Sequence, residues 1–260
     1  MSAFALTLLF KIVMTAGIVV AASLVVERSG PFIGSMIAAM PTAGGAALII
    51  LAMDHTPAFV GQSAVGSLVS NAIVAIFALT YAALAQRRSL LVSLGVAFAV
   101  WLLCAALSRL VDWTVPGALL LSAIVFPLTI WAGRSFRAEG AAKVRVAFTA
   151  RDLAWRAAVV TLCVILVTAA SSAIGSYFSG IFAFFPVAMG SYLVILHPRI
   201  GGPATASVAA HVQAPLIGLG LGLIAVRYLA ELAGVWWSFA IGLAIAVAWN
   251  AALWAWRTRA

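Results

Sequence analysis

The chain contains two similar segments, GPFIGSMIAAMPTAGGAALIIL at residues 30–51 and GSYFSGIFAFFPVAMGSYLVIL at residues 175–196. They align without a gap at a constant offset of 145 residues, which is 175 minus 30. The matching pairs include Gly30 and Gly175, Pro41 and Pro186, Gly45 and Gly190, Leu48 and Leu193, Ile50 and Ile195, and Leu51 and Leu196. Because two glycines and a proline share one register, the segments predict an internal repeat.

The match extends in both directions from these segments. Upstream, the same offset pairs Lys11 with Arg156, and downstream a single inserted residue pairs Pro57 with Pro203. The repeat therefore covers several consecutive elements.

The composition is that of a membrane protein. Of the 260 residues, 65% are hydrophobic and 8% are charged, and the mean hydropathy is +1.19. Soluble domains are roughly 45–50% apolar and about 25% charged, so this class is excluded. The net charge of +9 would suggest a nucleic-acid partner in a soluble chain. Here it follows from membrane topology, and no nucleic-acid partner is predicted.

Apolar runs long enough to cross a bilayer predict an all-α polytopic integral membrane protein with nine transmembrane helices. Their predicted ranges are 4–26, 31–53, 59–85, 90–110, 114–133, 153–174, 180–198, 203–226 and 233–256.

The basic residues predict the orientation, because Lys and Arg concentrate in cytoplasmic loops. With the N-terminus outside and the C-terminus in the cytoplasm, only Arg109 and Arg227 lie in the outer loops, and Lys11 lies within helix 1. The inner loops and tail then hold Arg28, Arg87, Arg88, Arg134, Arg137, Lys143, Arg145, Arg151, Arg156, Arg199, Arg257 and Arg259. The predicted location is a bacterial-type inner (plasma) membrane.

Helices 1–4 match helices 6–9, which leaves helix 5 as an unpaired connector. The predicted organisation is repeat one at 1–112, helix 5 with a basic cytoplasmic loop at 113–152, and repeat two at 153–260. Since helix 1 enters from outside and helix 6 from the cytoplasm, the repeats have inverted topology. Many secondary transporters share this architecture and bind their substrates near the midplane between the repeats.

Each half resembles one copy of the small four-helix inner-membrane family typified by GlpM. The resemblance rests on Lys11 with GSMIAAMPT at 34–42, and on Arg156 with GIFAFFPV at 180–187. The chain departs from the family motif at Met40, where the family has Phe, and at Arg156, where it has Lys. The resemblance implies a pair of antiparallel four-helix units and leaves the activity open.

Two prolines predict the position of a site. Pro41 and Pro186 fall near the middle of helices 2 and 7, where each removes a backbone donor. The neighbouring glycines, Gly34, Gly44 and Gly45 in helix 2 and Gly180 and Gly190 in helix 7, favour true breaks. Unpaired backbone at membrane depth is tolerated only where protein or water covers it. Ordinary kinks with close helix packing are the alternative.

Lys11 and Arg156 predict an anionic ligand if both line a cavity between the repeats, although both could instead reach the nearest headgroup layer. The six acidic residues all lie at helix ends or in loops, which disfavours a carboxylate-based cation antiporter. Any coupling to protons would then fall to a histidine.

Helices 3 and 8 carry further polar residues. Gln62, Ser63, Ser67, Ser70 and Asn71 lie mostly on one face of helix 3, and His211 and Gln213 lie in helix 8. They are predicted either to face a cavity or to form hydrogen bonds between helices. Asp54 with His55, and His197 with Arg199, end helices 2 and 7 at opposite faces and are candidate gates.

The leading functional hypothesis is a small transporter or channel for an anion or anionic amphiphile, with its site between helices 2 and 7. The predicted substrate-binding residues are Lys11, Gly34, Pro41, Gly44, Gly45, Asn71, Arg156, Pro186, Gly190, His211 and Gln213. The alternatives are a lipid flippase or other lipid-handling protein, and an accessory membrane protein that transports nothing. The sequence carries no enzyme motif, so neither catalysis nor a cofactor or metal is predicted. The expected partners are membrane lipids and a small anionic solute, and pairing of two copies as a homodimer stays open.

Overall fold

The chain folds into α-helices throughout the part that a computed structural model describes, residues 3–28, 42–139 and 148–259. A 3-10 turn at Ser108–Leu110 follows the fourth helix. The helices are α1 (Ala3–Arg28), α2 (Thr42–Asp54), α3 (Pro57–Leu84), α4 (Leu90–Leu107), α5 (Val115–Ala132), α6 (Arg134–Glu139), α7 (Ala150–Ala183), α8 (Val187–Ile200), α9 (Gly202–His211), α10 (Gln213–Leu232) and α11 (Val235–Arg259).

The helices have the length and composition of membrane spans. Six segments qualify: Pro57–Leu84, Leu90–Leu110, Val115–Ala132, Ala150–Ile200, Gly202–Leu232 and Val235–Trp256. Shorter apolar helices cover Leu9–Ala21 and Ala43–Asp54. The predicted class of helical membrane protein is thus confirmed, whereas the count of nine spans stays a prediction. Much of the predicted helix 2 at 31–53, up to residue 41, lies outside the described residues.

The core is built around α3 and α10. In the most apolar windows, 72% of the α3 residues and 67% of the α9–α10 residues are buried, against 22% to 28% in the other spans. The outer helices expose large apolar side chains such as Leu120, Leu128 and Leu166. Two long helices surrounded by helices with bare apolar faces are the arrangement expected when lipid replaces water at the surface.

The helix α7 changes direction at Gly175. Its backbone there has φ 76° and ψ 172°, a region that is essentially restricted to glycine. The residue divides α7 into a long arm at 150–174 and a short arm at 176–183. At the other end, Thr149 and Asp152 form a reciprocal capping box that begins the long arm.

Two boundaries differ from the predicted helices. A loop was expected between 174 and 180, but a single glycine redirects the chain and the short arm begins at once. The predicted helix 8 at 203–226 instead covers α9 and α10, which meet at Val212 and end at Leu232. Pro215 lacks the amide that would bond to the carbonyl of His211, and this explains the local irregularity.

Candidate functional site

The helical path that contains Pro186 is broken in its interior. Helix α7 ends at Ala183 and α8 begins at Val187. Pro186 caps α8 with a non-helical ψ of 42°, and the amide of Val187 donates to the carbonyl of Phe185 at 2.7 Å. Pro186 therefore interrupts the helix, as the sequence favours, and does not merely kink it.

The polar face of α3 lies against the short arm of α7. Three serines donate hydrogen bonds to carbonyl oxygens that are four residues apart: Ser63 to Ser176 at 2.9 Å, Ser67 to Gly180 at 3.1 Å and Ser70 to Phe184 at 3.5 Å. The last acceptor lies within the break itself. The sequence left two alternatives for this face, a cavity or hydrogen bonds between helices. These three serines form hydrogen bonds between helices.

Glycines allow this close approach. A Cβ atom on Gly66 would overlap the carbonyl oxygen of Tyr177, and one on Gly180 would overlap the carbonyl oxygen of Ser63. The two backbones are therefore in direct contact, as occurs between membrane helices that carry small residues at their interface.

Two of the predicted site glycines receive aromatic rings. A Cβ on Gly44 would lie 2.7 Å from the Phe184 ring, and one on Gly190 would lie 2.6 Å from the Phe98 ring. Gly45 is half-buried one residue beyond Gly44. Gly44 and Gly190 therefore make room for side chains at the break.

An aromatic layer surrounds the break, formed by Phe98, Trp101, Phe182, Phe184 and Phe185. The ring of Phe185 stacks on Phe98 at 5.2 Å and meets Trp101 edge to face at 5.0 Å. Trp101 is fully buried. In this conformation, apolar rings occupy the level at which the sequence predicts a site.

A polar group that we name the α2-end cluster contains Lys11, Asp54, His55 and Ser171. Lys11 Nζ and Asp54 Oδ2 form an ion pair at 2.5 Å. His55 Nε2 lies 2.7 Å from Ser171 Oγ. The Ser171 hydroxyl also lies 2.6 Å from the carbonyl oxygen of Thr168. The cluster ties the end of α2 to both α1 and α7.

A second group, the α8-end cluster, contains Tyr81, Asp152, His197 and Arg199. Arg199 Nη2 pairs with Asp152 Oδ2 at 2.6 Å. The Tyr81 hydroxyl and His197 Nδ1 are hydrogen-bonded at 2.7 Å. This cluster ties the end of α8 to both α7 and α3.

Arg156 lies about one helical turn after Asp152 in α7 and is only 6% exposed. Its guanidinium carbon lies 5.6 Å from the centre of the Phe148 ring and 5.2 Å from that of Tyr192. The two rings are neighbours, with their centres 5.7 Å apart, and the guanidinium lies over both. Cation–π attraction stabilises it there, and more so away from water.

The remaining predicted site residues lie on α3, at the end of α9 and at the start of α10. Asn71 donates to the carbonyl of Leu216 at 2.8 Å. His211 Nδ1 lies 2.8 Å from the carbonyl of Ser207 in its own helix. Gln213 is fully buried, and neither amide atom has a hydrogen-bond partner within the described part of the chain. These three residues are thus separate from the two end clusters.

A separate apolar groove of about 270 Å³ lies between α3, α5 and α10. Its lining includes Leu68, Leu119, Ala123, Ile217, Gly220 and Leu221. It does not overlap with the break or with either end cluster.

Sequence reasoning missed some of the groups that shape this region. The predicted helices leave a loop between 174 and 180, but the pattern did not indicate that Gly175 alone makes the turn. The aromatic layer could have been suspected from the run FAFFP ending at Pro186. Gly34 and Pro41, two predicted site residues, lie outside the described residues.

No protein-family model matches the chain, and no curated protein or solved structure is significantly similar to it. The resemblance to the four-helix family therefore stays a prediction. Within the described residues, no group of three His, Cys, Asp or Glu side chains could hold a metal ion.

Proposed function

We propose that the protein is a small secondary transporter that moves an anion or anionic amphiphile by alternating access. The observation that carries the proposal is the interior break between α7 and α8, whose freed carbonyl at Phe184 accepts a hydrogen bond from Ser70. Broken helices covered by protein are characteristic of transporter sites near the membrane midplane.

Helix bounds support the internal repeat on which the alternating-access proposal rests. Adding 145 to Asp54, the last residue of α2, gives 199, and α8 ends at Ile200. Adding 146 to the bounds of α3, 57–84, gives 203–230, and α9 with α10 covers 202–232. The two most buried spans are thus the third helices of the two proposed repeats.

The ion pairs favour the same symmetry with the charges reversed. Asp54 plus 145 is Arg199, so the last turn of each second helix carries one charge. Lys11 on α1 pairs with Asp54, and Asp152 in the first turn of α7 pairs with Arg199. Because α7 begins at Ala150, three residues before the predicted start of repeat two at 153, we assign Asp152 to the first helix of that repeat. We infer that these pairs hold the first and second helices of each repeat together as a unit.

The hydrogen bonds of the two histidines cross between the proposed repeats. His55 in repeat one bonds to Ser171 in repeat two, and Tyr81 in repeat one bonds to His197 in repeat two. With the predicted topology they lie at opposite membrane faces, which suits an outer and an inner gate. Both are formed here, and the aromatic layer lies between them, so we interpret this conformation as occluded.

The cationic side chains support an anionic substrate, with one refinement from the geometry. Arg156 is buried against aromatic rings, an environment that suits a partly apolar anion. Lys11 is paired with Asp54, so an anion that reaches Lys11 has to displace the Asp54 carboxylate. We expect substrate binding there to exchange one carboxylate or phosphate oxygen for another.

The test is flux into sealed proteoliposomes across a panel of inorganic and organic anions. The Lys11→Ala/Arg156→Ala variant should lose flux while remaining folded, and Arg87→Ala/Arg88→Ala, which removes two exposed charges, should retain it. No flux of any anion under a potential or pH gradient would overturn the proposal.

A lipid-handling function is the second candidate, because the groove between α3, α5 and α10 has exposed residues on its rim. Leu119 and Leu221 there are 41% and 40% exposed. Transfer of a fluorescent lipid between leaflets, measured in the same vesicles, distinguishes the two candidates. Lipid transfer without anion flux would favour this one.

A further inference from the structure

The apolar groove opens sideways from the helix bundle. Its rim residues Leu119 and Leu221 are partly exposed, and the neighbouring α5 residues Leu120 and Ile124 are 64% and 52% exposed. In a bilayer this face contacts lipid tails, so the groove is continuous with the hydrocarbon. Apolar cavities of roughly 150 Å³ already stay dry and bind benzene-sized molecules. The groove, at about 270 Å³, therefore has room for a segment of hydrocarbon chain.

The antiparallel contact of α3 with α10 places charged groups beyond one end of the groove. A Cβ on Gly220 would lie 3.3 Å from Leu68 Cδ1, at the level of the groove. Seven residues further along the same contact, a Cβ on Gly61 would lie 3.4 Å from Arg227 Nη1. Seven residues correspond to about 10 Å along a helix.

Arg227 forms a weak ion pair with Glu231. Arg227 Nη1 lies 3.6 Å from Glu231 Oε1, and the two side chains are 29% and 54% exposed. Exposed pairs of this kind contribute little stability, about 0–1 kcal/mol. Both charges are therefore accessible at small cost to a ligand that carries the opposite charges.

We propose that this surface is a binding site for one zwitterionic phospholipid with a primary amine headgroup. One acyl chain lies in the groove between α3, α5 and α10. The phosphate binds Arg227 and the ammonium group binds Glu231, so the lipid replaces the ion pair by two complementary contacts. The inference does not depend on the transport function, since the groove is separate from the break.

Native mass spectrometry of the full chain tests the site. The protein is titrated with phosphatidylethanolamine in detergent, and the complexes are then released from the detergent in the spectrometer. Ala123→Phe fills the groove, whereas Leu120→Phe adds the same ring to the exposed face outside it. We expect Ala123→Phe to weaken lipid binding by about tenfold and Leu120→Phe to leave it unchanged. Ala123→Leu fills less of the groove, and its lipid binding is measured instead if the phenylalanine variant does not fold.

The headgroup contacts are tested by Arg227→Gln/Glu231→Gln, with Arg109→Gln as the matched control for a predicted outer cation. The double variant should lose the preference for phosphatidylethanolamine over phosphatidylglycerol, and the control should keep it. Equal effects of Ala123→Phe and Leu120→Phe, or tighter binding of phosphatidylglycerol by the wild type, would overturn the proposal. A dimer that Ala123→Phe dissociates would also overturn it, because a second copy would then occupy the groove.

Discussion

At the scale of single residues, the contact between α3 and the short arm of α7 depends on two glycines, which have no side chain to keep the backbones apart. Gly66 and Gly180 bring the two backbones together closely enough for serine hydroxyls to reach the carbonyls of the facing helix. In a membrane, burial of apolar surface gives little drive for helices to associate, so packing and hydrogen bonds at such contacts determine stability.

Gly180→Ala should destabilise the protein by about 1–3 kcal/mol, because its methyl group would overlap the Ser63 carbonyl and separate the helices. Gly95→Ala is the matched control, since a Cβ at this position on α4 has no neighbour within 4 Å among the described residues. It should stabilise by up to about 1 kcal/mol through helix propensity. Unfolding in mixed micelles with rising SDS measures both. Equal stability of the two variants would contradict the close contact.

Ser67→Ala should cost about 0.6 kcal/mol, the average for a hydrogen bond between membrane helices. The serine donates to Gly180 at 3.1 Å in a buried setting. Ser93 is equally buried, but its hydroxyl has no partner within the described part of the chain. Ser93→Ala should therefore be neutral or slightly stabilising in the same assay. A larger loss for Ser93→Ala than for Ser67→Ala would show that the hydrogen bond does not matter.

At the scale of elements, the path from α7 to α8 has two interruptions of different origin. At Gly175 the backbone adopts a conformation that other residues rarely take. At Pro186 the backbone lacks a donor, and the aromatic layer fills the surrounding space. Between them, the short arm is held to α3 by the hydrogen bonds of Ser63 and Ser67. The Ser179 hydroxyl also ties it to the turn at Gly175, whose carbonyl oxygen lies 2.7 Å away.

Gly175→Ala should cost about 1–3 kcal/mol through backbone strain, because φ there is 76°. Among the described residues, no atom beyond the adjacent backbone lies within 4 Å of the position that the new methyl group would take. Gly17→Ala, in the exposed face of α1, provides the control, since a Cβ there also has no neighbour within 4 Å in the part of the chain that the structure describes. It should be neutral or stabilising. Thermal unfolding in detergent reports the difference. If both variants melt together, the turn at Gly175 is not required for the fold.

The bounds of the helices could be predicted best where the sequence is most apolar. The spans over 59–85 and 90–110 match α3, Pro57–Leu84, and the segment Leu90–Leu110 within about two residues, since long apolar runs leave few alternatives. The predicted end of helix 8 at residue 226 is wrong, because Arg227 interrupts the apolar run without ending the helix. The arginine lies within α10, where its side chain is 29% exposed and pairs with Glu231.

Contacts between distant residues were beyond sequence reasoning. The pattern identified Lys11 as a candidate cation, but not that Asp54, 43 residues away, neutralises it. Likewise, the serines of α3 were recognised as polar while their acceptors on the short arm were not. Partner choice depends on how helices pack in three dimensions, and periodicity within one helix carries no information about it.

At the scale of the whole molecule, the two histidine bonds are the polar links most directly placed to report alternating access. Lys11–Asp54 and Asp152–Arg199 each lie within one proposed repeat, so they persist if the repeats move as units. His55–Ser171 and Tyr81–His197 join different repeats and have to open when one repeat rocks against the other.

We therefore predict that a covalent link at either histidine bond stops transport while a link within a repeat does not. The pairs His55→Cys/Ser171→Cys and Tyr81→Cys/His197→Cys are introduced in a background without Cys104 and Cys163. A short, cleavable, thiol-reactive crosslinker then joins the two cysteines of each pair. The crosslinker is used because a direct disulfide requires Cα atoms within about 7 Å of each other. Residues that meet through the ends of long side chains have Cα atoms further apart than this.

The matched control is Asp152→Cys/Arg199→Cys, joined by the same reagent within one repeat. Flux in proteoliposomes should fall to background for each linked histidine pair and recover when the link is cleaved, because alternating access requires both gates to open in turn. The control should retain flux when linked, since its two helices move together. Flux that survives a link at either gate would exclude rocking of one repeat against the other as the transport motion, and it would favour a continuous channel in which these bonds need not open.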